Sequence, residues 1–186
     1  MQSTSLRNQL LIAMPNLQDP NFSHTVTYIC EHSEEGAMGF IINRPASIKV
    51  ADVLEQMKIT PDTEISNQAH IYIGGPVDED RGFVLHTREH DWKSTLDVND
   101  ELSVTTSRDI LEAMAHDKGP QQSLIALGYA GWAAGQLEDE IMHNAWLSGP
   151  ANKEILFDLP AEQRWEASAK LLGVDLNLLS SESGHA

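Results

Sequence analysis

Apolar residues fall along this chain in short runs, each fenced by Gly, Pro, Asn or Asp, and the spacing inside the runs switches between strand and helix periods. Leu10 to Met14 reads as a first strand closed by Pro15, followed by a loop through Asn16, Asp19 and Pro20. Thr25 to Glu31 and Ala37 to Ile42 are β-rich runs on either side of "HSEEG", where Gly36 can take a positive φ, so together they predict a hairpin. From Ser47 to Lys58 the residues Val50, Val53, Leu54 and Met57 stand at i, i+3, i+4 and i+7, the stripe of a helix resting on a sheet and stopping at Pro61. A polar connection from Asp62 to Ala69 leads to "HIYI", a "GGP" break and "GFVLH", two further strands, the second ending at His86.

Leu102 to Thr105 predicts another strand, and Thr106 or Ser107 N-caps a helix that buries Ile110, Leu111 and Met114 and ends at Gly119-Pro120. "SLIAL", residues 123–127, is a buried strand by its continuous apolar character, and "GYAGWAAG" reads as a loop. A helix is expected from about Gln136 to Trp146, closed by Gly149-Pro150. Pro160 suits the first position of a last helix through Trp165, Ala169 and Leu172, ended by Gly173. Hairpins mixed with helices, rather than strict strand-helix alternation, predict an α+β single domain over residues 1–173, with 174–186 expected as a disordered tail.

The 186 residues are enough to bury a core without metals or disulfides, and no segment approaches the ~18 consecutive apolar residues of a membrane span. The N-terminal apolar run is shorter than a signal peptide's core, and the single cysteine, Cys30, suits a reducing compartment, so a cytoplasmic location is expected. Twelve Lys and Arg against 28 Asp and Glu give a net charge of −16, which repels phosphate backbones and argues against direct nucleic-acid binding. There is no zinc spacing, phosphate loop, Gly-x-Ser-x-Gly elbow or His-Glu-x-x-His pair, so neither a cofactor nor a metal is expected.

Cys30, Glu31 and His32 invite a nucleophilic reading. In an extended strand, however, Cys30 and His32 share one face about 6–7 Å apart while Glu31 points away, so the three cannot assemble by themselves. His86 and His90 have a metal-like spacing only on a helix, and "HTREHDWK" reads as a loop. Trp132, Trp146 and Tyr129 can stack on a flat ligand or form partial core. Of only six arginines, Arg44 follows a buried strand and Arg81 precedes one, places where a rigid scaffold presents a guanidinium to a carboxylate or phosphate.

Three blocks, "DPNFSHTVTYICEHSEEGAMGFIINRP", "YIGGPVDEDRGFVLH" and "LGYAGWAAGQLEDEIMHNAWL", together resemble the YqgE/AlgH family of bacterial proteins over about Leu10 to Gly173. The resemblance implies a cytosolic protein with coiled, bifurcated mixed β-sheets and a family label of transcriptional regulator. His24 stands where that family usually has Arg or Lys. Asn43, Arg44, Gly74, Gly75, Arg81 and His86 all sit at strand ends within the blocks, and with the helix start at Gln136 they define a concave face that would hold a small anion. Arg44 and Arg81 would bind it, with Asn43 and His86 orienting it; for Arg81 an internal pair with Asp78, Glu79 or Asp80 is the alternative. A binding or regulatory role toward a small anionic ligand or a protein partner is therefore the expectation. The rival is a hydrolase or transferase in which His86 or His32 is the base and Cys30 or a water the nucleophile.

Overall fold

The computed structural model describes residues 5–61 and 70–183. Its strands are β1 (Gln9–Ala13), β2 (Val26–Ser33), β3 (Gly36–Ile41), β4 (Pro45–Lys49), β5 (His70–Ile73), β6 (Val77–Thr87), β7 (Thr95–Asp97), β8 (Leu102–Thr105), β9 (Ser123–Ala133) and β10 (Trp146–Pro150). Its helices are α1 (Val50–Gln56), α2 (Arg108–Ala115), α3 (Gln136–Met142), α4 (Ala161–Leu171) and α5 (Leu176–Ser183), with a π-helical turn at Glu154–Asp158. The α+β class holds.

The strands join in the order β10-β1-β2-β3-β9-β6-β8-β7, with β5 also on β9 and β4 on β5. All pairs are antiparallel except β5 with β9. The sheet bifurcates on β9, whose first part pairs with β5 and β6 and whose residues 130–133 pair with β3. Its two halves curl so that Leu10, Tyr28, Phe40 and Ile42 of one meet Phe83, Leu85, Val104 and Leu124 of the other in one core. Outside, α1 and α2 cover Ile71, Val84 and Ile125, while α3 covers Leu11, Ile29 and Ala130. The alternation of each strand thus feeds two apolar layers rather than one.

Four chain segments meet where the sheet splits, and only glycine fits there. Gly128 lies mid-strand at φ +76°, and a Cβ on it would stand 2.5 Å from the Gly75 carbonyl oxygen. A Cβ on Gly74 would stand 2.4 Å from the Gly128 oxygen, and one on Gly75 2.1 Å from the Tyr129 carbonyl carbon. The approach lets Gly74 donate to the Leu127 carbonyl and accept from the Ile41 amide, both at 2.8 Å, so it links β9 to β3.

Several expected boundaries shift. The helix expected from Ser47 begins at Val50, because Pro45 to Lys49 pairs with β5 and leaves Ala46 and Ile48 on the apolar side. The "GYAGWA" loop is instead the second part of β9, and Trp146 opens β10, paired with Ala13, because Asn144 at φ +60° ends the helical turn. The stretch from residue 174, expected as a disordered tail, carries α5 and buries Leu176 against Ile12 and Ala169. Residues 184–186 and the connection 62–69 lie outside the described residues.

Substituting Gly128 with Ala combines a left-handed backbone with a backbone clash and should lower the unfolding free energy by about 3 kcal/mol. Gly135, at φ +77° with open space around its Cβ position, is the control, and Gly135→Ala should cost only about 1 kcal/mol. Urea unfolding of the two variants measures the difference.

Candidate functional site

Several of the seven residues expected to hold an anion are engaged within the fold itself. Asn43 accepts the Val26 amide and donates to the His24 carbonyl, each at 2.9 Å. Arg44 donates to the carbonyls of Asn21 (2.5 Å) and Ser23 (2.9 Å), so "NRP" serves to fasten the preceding loop, and burial pushes the Arg44 pKa down. In that loop His24 has φ +58° and stacks on Trp165 at 4.3 Å. Arg81 lies with its guanidinium 5.2 Å from the Phe83 ring, and Gly74 and Gly75 are consumed by the strand junction. Gln136 accepts the Ala133 amide and donates to Glu140, closing the end of β9 onto α3.

His86 is buried at 1% exposure; its Nδ1 donates to the Thr87 carbonyl at 2.9 Å, which leaves Nε2 to accept the Thr105 hydroxyl at 2.7 Å. Burial pushes its pKa down and keeps it neutral. Thr105 is itself buried, so the pair is a cross-strand tie and offers no accessible hydroxyl. His32 is likewise saturated: Nδ1 accepts the Leu6 amide at 2.8 Å and Nε2 donates to Glu138. A register shift between Ile29 and Glu31 breaks the alternation of β2, so Cys30 stays in the central core while His32 meets α3, against the expectation that they share a face. Burial raises the Cys30 thiol to about 12.

One polar arrangement that single-residue reasoning missed lies wholly in the third block. Glu140 accepts the indole N–H of Trp132 (3.1 Å) and of Trp146 (2.9 Å), and Phe22 packs edge-on against Trp146. The i, i+4 spacing of Gln136 and Glu140 was the available signal. Arg164, a cation at 3% exposure, donates to the Ile42 and Leu159 carbonyls and lies 4.9 Å from the Tyr72 ring, tying α4 to the sheet.

A cleft of about 640 Å³ lies between α1 and α2 on the outer face of the sheet. The helical stripe of α1 splits its duty, Val50 and Leu54 entering the core while Val53 and Met57 line the cleft. Val84, Ile125 and Leu127 form the floor and Leu111 the far wall. Gly82 opens directly onto it, with nothing within 4 Å of where its Cβ would stand. Among the charged lining residues, Arg108 pairs with Glu112 through Nε at 2.7 Å, whereas Asp80 has no ion-pair partner among the described residues.

Nor does the start of α2 offer vacant amides to an anion. The Asp109 carboxylate already sits there, accepting Ser107 Oγ (2.5 Å) and the amides of Lys93 (2.8 Å) and Ile110 (3.0 Å). Burial pushes that carboxyl up, but these hydrogen bonds outweigh it and hold it below its ordinary range. The cleft therefore has an apolar body and, among the described residues, one carboxylate, Asp80, outside any ion pair. Among the described residues no His, Cys, Asp and Glu cluster has metal-binding geometry, and no helix is long and apolar enough to cross a membrane.

A family model described as AlgH-like matches residues 10–177. A UPF0301 protein of Thioalkalivibrio sulfidiphilus is 56% identical over 184 residues, covering 99% of this chain and 98% of its own. One from Nitrosococcus oceani is 55% identical over 180 residues, 97% and 96% of the two chains. The solution structure of the AlgH protein from Pseudomonas aeruginosa superposes with a TM-score of 0.79 at 53% identity, covering 100% of both chains. A crystal structure of a Corynebacterium diphtheriae protein gives 0.74 at 20% identity over 96% of this chain and 93% of that one, a likeness of fold.

Native Cys30 should resist alkylation at about pH 7.5, at least ~100-fold more slowly than the unfolded chain, as followed by mass spectrometry. His86 yields a pH dependence. Its folded pKa lies below the ordinary 6.5, so the unfolded chain binds more protons on acidification and the stability contribution, full above 6.5, is lost as pH falls toward the depressed value. The stability advantage of the native chain over His86→Gln should therefore shrink as pH drops below 6.5, measured by paired urea titrations.

Proposed function

This chain belongs to the AlgH-like family, and from that premise we propose that it acts by binding, through the cleft between α1 and α2, rather than by catalysis. The observation that carries the proposal is the combination of size and lining. A space of about 640 Å³ falls within the range of organic-ligand sites, and its walls are apolar with a few polar groups at the rim. The histidines and the thiol that a hydrolytic mechanism would recruit are buried or saturated by backbone and neighbouring side chains. The regulator label fits a binding role exerted through a partner, because a chain of charge −16 lacks the electrostatic means to hold DNA.

The small anion expected at Arg44 and Arg81 finds little support in their surroundings, since one guanidinium is spent on loop carbonyls and the other lies on Phe83. The cleft favours an occupant with an apolar body.

Gly82→Leu fills the cleft from a position where an added Cβ would meet no existing atom within 4 Å. The neutral fluorophore N-phenyl-1-naphthylamine should brighten on addition to the native chain and not to Gly82→Leu, while thermal unfolding of the variant stays unchanged or rises. Equal brightening in both proteins would remove the cleft as the site.

A further inference from the structure

The apolar floor of the cleft does not end where the cavity does. Leu127 in the floor is paired in register with Ile73 of β5, just as Ile125 is paired with Ile71, so Ile73 and Leu127 stand on the same face as the buried Ile71. Yet Ile73 is 47% exposed, and Val77 at the start of β6 is also exposed. The neighbouring arm of β6, "DEDR", carries Asp78, Glu79 and Asp80, all exposed. Asp80 reaches the cleft as the one lining charge without an ion pair among the described residues, because Arg108 is held by Glu112. An occupant that fits must be apolar, longer than the enclosed space, and positively charged where it passes the arm.

We propose that the cleft and its extension over Ile73 receive a basic amphipathic segment of another protein, its apolar stripe on Leu127, Ile125, Val53 and Met57 and a Lys or Arg of its polar face against Asp80. This rests on the cleft reading above and goes beyond it by naming the partner's chemistry. Apolar anchors at helical spacing entering a groove are an established mode of peptide recognition, and the chain's charge of −16 steers a cationic segment toward it. A small apolar molecule would fill the cavity without using Ile73, and an acidic segment would meet Asp80 with like charge.

The test uses the full chain and three fluorescein-labelled peptides of about 14 residues, roughly four helical turns. One is a Leu/Lys peptide with Leu at helical spacing, one the same composition with that spacing broken, and one a Leu/Glu peptide of the first pattern. In about 150 mM salt, anisotropy should show the patterned Leu/Lys peptide binding at least about tenfold more tightly than either control. Gly82→Leu and Asp80→Lys should each weaken it by about tenfold or more, with folding checked by thermal unfolding. Equal binding of the broken-pattern peptide would mean bare charge attraction and overturn the proposal, as would tighter binding of the Leu/Glu peptide or indifference to both substitutions. If no peptide binds while the naphthylamine fluorophore still enters the native chain and not Gly82→Leu, the partner inference fails and the cleft reading stands. If Gly82→Leu leaves fluorophore uptake unchanged, the cleft reading fails and carries this inference with it.

Discussion

The backbone contact among Gly74, Gly75 and Gly128 is the constraint on which the architecture rests. A single strand, β9, must serve β5 and β6 along its first part and β3 along its last, and the exchange requires neighbouring chains to approach more closely than any Cβ permits. Once that approach is made, the two halves of the sheet are committed to face one another, since residues from both close on the same core. The outer faces are then left for helices, and the cleft arises because α1 and α2 lie on a floor that they do not fully cover.

Much of this was legible in the chain, and the failures have physical causes. The hairpin around Gly36 and the strand at Leu102 to Thr105 follow from local periodicity, which burial on a sheet enforces. "GYAGWA" looked like a loop because two glycines in six residues usually mark one; here Gly128 buys closeness between strands, a requirement set by residues some fifty positions away. Ser47 to Lys49 fell within the helix predicted by the stripe Val50, Val53, Leu54 and Met57, whereas pairing with β5 decides the matter.

The candidate site was less legible than the fold. Arg44 and Asn43 stood out as polar groups at a strand exit, but sequence cannot tell a guanidinium that awaits a ligand from one that closes a loop of its own chain. Arg164, by contrast, drew no notice amid helix-forming neighbours and proves to be buried on two carbonyls. Cleft residues such as Val53 and Met57 are indistinguishable by pattern from those that enter the core, because both belong to the same helical stripe.

The position of β9 in the chain also bears on how the protein is made. The strand that joins the two halves is residues 123–133, so a nascent chain emerging from the ribosome presents β3, β5 and β6 before their common partner exists. Until β9 arrives these strands have unpaired edges and an uncovered apolar face, the state in which strands join wrong neighbours. Synthesis therefore passes through an interval of exposure whose length is set by the distance in sequence from β6 to β9, and shielding during translation matters most over that interval.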